Sequence, residues 1–216
     1  MARVKDIELL TLRDMIRDFE LYYGLPDGLV QLPIPDRIMI NYLLYDIPRT
    51  MEEFADKLCY GQRLYLARQE ENDIGLIIRM INGYYYPIVT GKKWDEERAL
   101  LFKKKVVSCK VKDLYPVAMH FINMIGEIAE REKTLLHREP SKLELAAGIE
   151  KLDVFAELNA LDFLRDAMKC TVAEVLLTPY NECLVRFMNA KEITEYQERY
   201  MELQKESYEP KSKYKK

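Results

Sequence analysis

Apolar positions recur along most of this chain at intervals of three and four, the spacing of helices that bury one side. The last such run, Thr178 to about Lys205, changes sides halfway. Thr178 fits a helix N-cap and Pro179 the first helical position. Tyr180, Cys183, Leu184, Phe187 and Met188 then share one face. After Asn189 the rule fails, and Ile193, Tyr196, Tyr200 and Leu203 form a second stripe. At roughly 100° per residue that stripe points almost opposite to the first. A straight helix of this kind packs on its own core with one half and offers the other half to a second surface.

The rest of the chain divides by the same logic. Residues 1–10 suit a short strand or arm. Thr11 with Asp14 opens a helix that runs towards Tyr23, and Gly24 stops it. Residues 24–36, rich in Pro and Gly, read as a loop or extended crossing. The apolar run Asp36–Tyr45 leans to helix. Thr50 with Glu53 forms a capping box for a helix from Met51 to about Glu70, in which Gly61 marks a kink or a close approach. Asp73–Ile81 is apolar enough for another helix, with Asn82-Gly83 as a turn signal. Tyr84–Thr90 is the best strand candidate and can pair with Val106–Val111 as a two-stranded ribbon. Between them, Trp94 to about Lys104 reads as a helix with an acidic start and a basic end. Asp113 is expected to cap a long helix with Pro116 in its first turn. Charged residues from Glu127 to Glu139, then Pro140, mark a boundary. Ser141 with Glu144 and Thr171 with Glu174 begin further short helices.

The expected fold is therefore mainly α, with a small two-stranded β element and a helical C-terminal module ending in a long helix. Three segments are expected: 1–140 as an α-rich domain with a β-ribbon near 84–111, 141–206 as a helical module, and 207–216 as a basic tail. One continuous domain, with the module packed on the long helix Asp113–Lys133, is the alternative.

Composition adds two points. Of 216 residues 49% are hydrophobic, as in an ordinary folded protein, and the net charge of −3 argues against a general nucleic-acid binder. Fifteen tyrosines against two histidines is an unusual balance. Tyrosine suits surfaces that are wet in one state and covered in another. Tyr84, Tyr85 and Tyr86, three rings in a row, are difficult to bury in one core and read as an interface cluster.

Candidate chemistry is sparse. His120 and His137 have no Cys, Asp or Glu at zinc-ligand spacing, and Cys59, Cys109, Cys170 and Cys183 are too far apart for a metal or redox motif. Ser108-Cys109 has no identifiable base. Thr90-Gly91-Lys92-Lys93 lacks the first glycine of a phosphate loop, since residue 86 is tyrosine. No apolar stretch reaches the length of a membrane span, so no membrane contact is expected. No catalytic residue, cofactor or metal is expected. The tail lysines Lys211, Lys213, Lys215 and Lys216 can meet an acidic surface or DNA.

Two blocks, Glu52–Leu101 and Glu139–Tyr200, carry the phrases AGIEKL (Ala147–Leu152) and LTPYNEC (Leu177–Cys183). They resemble virion-assembly proteins encoded among the structural genes of tailed bacteriophages, the crAss-like gut phages in particular. The resemblance implies a non-enzymatic structural role, such as a head-to-tail connector or ring subunit, in a virion assembled in the host bacterial cytoplasm. It implies a homo-oligomer docked on other virion proteins: portal, tail or a neighbouring ring. A tail-assembly chaperone absent from the mature virion, or a DNA-linked regulator using the basic tail, are the alternatives. A ring needs two unlike contact surfaces. Tyr84–Tyr86 and the stripe Ile193, Tyr196, Tyr200 and Leu203 are the expected ones.

Overall fold

A computed structural model describes residues 10–17, 32–68 and 73–208. The expected N-terminal arm, the second half of the first helix, most of the loop that follows and the lysines of the tail lie outside them. The described residues are mainly α with one two-stranded sheet. In chain order they form α1 (Leu12–Arg17), β1 (Arg37–Ile40), β2 (Leu43–Asp46), α2 (Met51–Ala55), α3 (Tyr60–Ala67), α4 (Asp73–Thr90), α5 (Glu96–Val106) and α6 (Val111–Leu136). Then come α7 (Lys142–Ala147), a 3-10 turn (Ile149–Phe155), α8 (Ala156–Met168), α9 (Val172–Leu177) and α10 (Tyr180–Tyr208).

The capping signals behave as their chemistry requires. Ser141 and Thr171 each accept from the backbone N–H three residues on, while Glu144 and Glu174 reach back to the cap N–H. Thr11 and Asp14 bond reciprocally in the same way. Thr50 accepts from the Glu53 N–H, but the Glu53 carboxylate takes the N–H of Arg49, one residue early.

The sheet lies elsewhere than expected. Arg37–Asp46 is a hairpin, with Met39 opposite Leu44 and Ile40 opposite Leu43. Asn41 and Tyr42 both have positive φ, 52° and 65°, as a two-residue type I′ loop requires. Ile38 and Ile40 face the core while Met39 faces out, a period of two inside a run too apolar to display it.

Tyr84–Thr90 is correspondingly not a strand. It is the second half of α4, and Val106–Val111 turns the chain from α5 into α6. Gly83 serves packing rather than a turn: a Cβ there would meet Leu66 Cδ2 at 2.5 Å. Pro87 sits inside α4 and cannot bond to the Gly83 carbonyl one turn back. Gln62 supplies the missing donor, its Nε2 lying 2.8 Å from that carbonyl in a buried site. Strand propensity is a preference for a half-buried pleated surface, and a helix surrounded by apolar partners satisfies the same side chains.

Burial of the middle of α4 also overturns Tyr84–Tyr86 as an interface. All three are buried, because successive rings on a helix fan out towards different neighbours. Tyr84 stacks on Phe54 of α2 at 4.8 Å. Tyr85 reaches the hairpin, its hydroxyl donating to the Asp46 carbonyl at 3.1 Å. Tyr86 meets Trp94 and Phe102, edge to face.

Other boundaries shift for local reasons. The helix expected from Met51 breaks into α2 and α3, and Cys59 caps the second piece. Gly61 marks a close approach: a Cβ would come within 2.9 Å of the Leu176 carbonyl and the Trp94 ring. The long helix begins after Lys110, so Asp113 lies within its first turn instead of capping it. Thr178 turns its hydroxyl back to the Glu174 carbonyl at 3.0 Å and does not cap α10.

One hydrophobic core crosses the boundary expected at residue 140. Leu164, Val175, Tyr180, Cys183 and Leu184 belong to it together with Phe54, Tyr85 and Phe121. Residues Leu58 and Tyr60 exchange backbone bonds of 2.9 Å with Tyr180 and Thr178, pinning the start of α10 to the start of α3.

Candidate docking surface

The first half of α10 is bound into the protein. Tyr180, Cys183 and Leu184 are fully covered, and Phe187 stacks on Phe163 of α8 at 5.4 Å. Beside them a cleft of about 340 Å³ lies between α3, α6, α8 and α10. Its polar lining includes Glu157 and the ion pair of Arg63 with Glu132, the Arg63 Nε lying 2.8 Å from Glu132 Oε1. Tyr180 also lines it, and burial, followed by the charge of Glu132, raises its hydroxyl pKa. Glu132 is engaged by Arg63 and the tyrosine stays protonated at neutral pH.

The second half of α10 is a different object. Ile193, Tyr196, Tyr200 and Leu203 are between 48% and 65% exposed, and Met201 beside them is 51% exposed. The rings of Tyr196 and Tyr200, one turn apart, stack at 6.3 Å with an interplanar angle of 22°. The opposite side of this half is tied down. Lys191 Nζ donates to the Leu135 carbonyl at 3.1 Å, and Arg138 Nη1 donates to Glu198 at 2.6 Å. Arg138 also holds Glu144 at the start of α7. Its guanidinium, with the Ser141 N–H and hydroxyl, lowers the Glu144 carboxyl to about 2.

Arg138 therefore joins two exposed apolar regions. Leu143 and Leu145 in α7, and Leu152, Val154, Phe155 and Leu158 just after it, are all exposed. Sequence reasoning missed this second region. Its signal was present: Ser141–Leu158 is rich in large apolar residues without a sustained helical period, so it cannot bury them in one stripe.

Two of the remaining candidates have local partners. His120 Nε2 lies 2.9 Å from the Pro48 carbonyl. Cys109 is buried, its thiol donates to the Met39 carbonyl at 3.2 Å, and burial raises its pKa to about 11. Such a thiol is a poor nucleophile. Among the described residues no cluster of three His, Cys, Asp or Glu side chains is placed to hold a metal ion. Among them, too, no helix is long and apolar enough to cross a membrane.

Comparison of the chain with protein-family models, with curated proteins and with solved structures finds no match.

Proposed function

We propose that this chain is a non-enzymatic structural protein that works by self-association, using the outer half of α10 as a docking surface. One observation carries the reading. A single helix buries Tyr180, Cys183 and Leu184 and then holds Ile193, Tyr196, Tyr200 and Leu203 in solvent. Large apolar side chains grouped on a tethered helix are costly to leave wet and gain most when another protein covers them. Exposed tyrosines suit that role, since each adds apolar area with few rotatable bonds to freeze.

The biological setting rests on the resemblance of Glu52–Leu101 and Glu139–Tyr200 to virion-assembly proteins of tailed phages. On that basis the chain is a connector or ring subunit of a virion, docking on portal, tail or ring neighbours.

The test is the light-scattering mass of the purified chain with and without residues 189–216. The reading predicts that the full chain, 25.6 kDa per copy, forms an oligomer and that the truncated chain runs as a monomer of correspondingly lower mass. A monomer in both cases would overturn self-association. Mass spectrometry of purified particles separates a virion component from an assembly chaperone.

A further inference from the structure

Three turns of the chain meet at a second cleft, of about 300 Å³, whose lining includes none of the α10 stripe. Lys57 lies on the turn from α2 into α3, Lys92, Lys93 and Trp94 on the turn from α4 into α5, and Pro179 between α9 and α10. Local chemistry sets the middle turn. Gly91 takes a positive φ of 65° and leads the chain out of α4. The Lys92 N–H then donates to Thr90 Oγ1 at 3.3 Å, and Asp95 caps α5 by accepting from the Arg98 N–H at 2.9 Å. Lys92 and Lys93 sit between these two anchors.

Charge in this cleft is unbalanced. Lys57, Lys92 and Lys93 are exposed, and none has an ion-pair partner among the described residues. The carboxylates close by are engaged. Asp56 accepts from Asn181 Nδ2 at 2.7 Å, Asp95 serves its cap, and Glu96 pairs with Arg68. Three lysines against one aspartate leave the lining at net +2. Half-buried Trp94, with Pro87 and Leu177, adds an apolar wall. The stretch Thr90–Lys93 is no phosphate loop, but the three side-chain ammonium groups can hold an oxyanion without one.

We infer that this cleft binds a phosphate monoester, its dianion among Lys57, Lys92 and Lys93 and its organic group against Trp94. Such an ester carries about −1.5 to −2 at neutral pH and three strong acceptor oxygens, one for each ammonium donor. A carboxylate brings a single charge and leaves the lining positive. Bare phosphate matches the charge but leaves the apolar wall in water. The inference is independent of self-association through α10.

Trp94 is the single tryptophan of the chain, so its emission reports on the cleft. The full chain is titrated at constant ionic strength with phenyl phosphate, inorganic phosphate and benzoate. Phenyl phosphate should change the emission saturably and bind more tightly than the other two. Lys92→Ala with Lys93→Ala should weaken it by about tenfold or more. Lys57→Ala should also weaken it. Lys103→Ala with Lys104→Ala, exposed on α5, should leave it unchanged. Circular dichroism checks that each variant keeps the parent's helical spectrum, and equilibrium dialysis detects binding that leaves the emission unaltered. Absence of binding by both measurements overturns the inference, as does binding that survives the loss of Lys92 and Lys93. Equal affinity for benzoate would leave only an apolar cleft, and equal affinity for inorganic phosphate only a charged one; either result overturns it. An equal loss in the Lys103 and Lys104 variant would show a general positive field and also overturns it.

Discussion

Gln62 donates its side-chain amide to the carbonyl of Gly83, the carbonyl that Pro87 leaves without a partner one turn along α4. The same side chain accepts from the Cys59 N–H at 3.0 Å through its Oε1. One residue thus closes the start of α3 and repairs the middle of the most enclosed helix.

Replacing Gln62 with Leu should therefore destabilise the chain by about 1–3 kcal/mol, the cost of a buried carbonyl and an N–H losing their partners. Pro87→Ala restores an N–H in register with the Gly83 carbonyl. In that background the Gln62→Leu loss should shrink, and urea unfolding of the double-mutant cycle reads the coupling. Strict additivity would show that the two residues act separately.

The hairpin loop carries strain that a single substitution can release. Tyr42 is 94% exposed, and its φ of 65° is unfavourable for any side chain with a Cβ. Tyr42→Gly should raise stability by about 1 kcal/mol, less the backbone entropy that glycine adds to the unfolded chain. A lower urea midpoint would mean that the tyrosine makes a contact worth more than the strain.

How much of this was legible follows from the kind of signal each element carries. Helices with a cap and one wet face were readable: Ser141 with Glu144, Thr171 with Glu174, and both stripes of α10. The failures share a cause. Arg37–Asp46 and Tyr84–Thr90 are apolar on nearly every position, so period alone cannot tell a strand from a buried helix. Their conformations were set by long-range partners, namely Gln62 on Gly83 and the Tyr85 hydroxyl on Asp46. The α10 stripe was legible because it breaks a local rule.

The Arg138 tie should report on pH. The Glu144 carboxyl is held at about 2, first by the Arg138 guanidinium, against 4.5 ordinarily. A depressed carboxyl contributes stability that is present above pH 4.5 and lost as pH falls towards 2. Amide exchange in α7 and outer α10 should accelerate across that window. Arg138→Ala should move the Glu144 midpoint, followed by carbon NMR, back towards 4.5. A midpoint unmoved by the substitution would refute the assignment.

Three of the four thiols should be inert. Burial raises Cys59 and Cys109 to about 11 and Cys183 to about 12. At pH 8 the thiolate of Cys59 or Cys109 is then roughly one part in a thousand. Iodoacetamide labelling, resolved by peptide mass spectrometry, should leave all three largely unmodified in the native chain and label them fully in urea. Rapid native labelling of Cys109 would contradict its place under the hairpin.

The central claim is that another copy of the chain covers the outer half of α10. Hydroxyl-radical footprinting across a dilution series measures it residue by residue. Oxidation of Tyr196, Tyr200 and Leu203 should fall as concentration rises, while exposed Tyr42, outside the contact, stays constant. Equal oxidation of the stripe at every concentration would contradict the account.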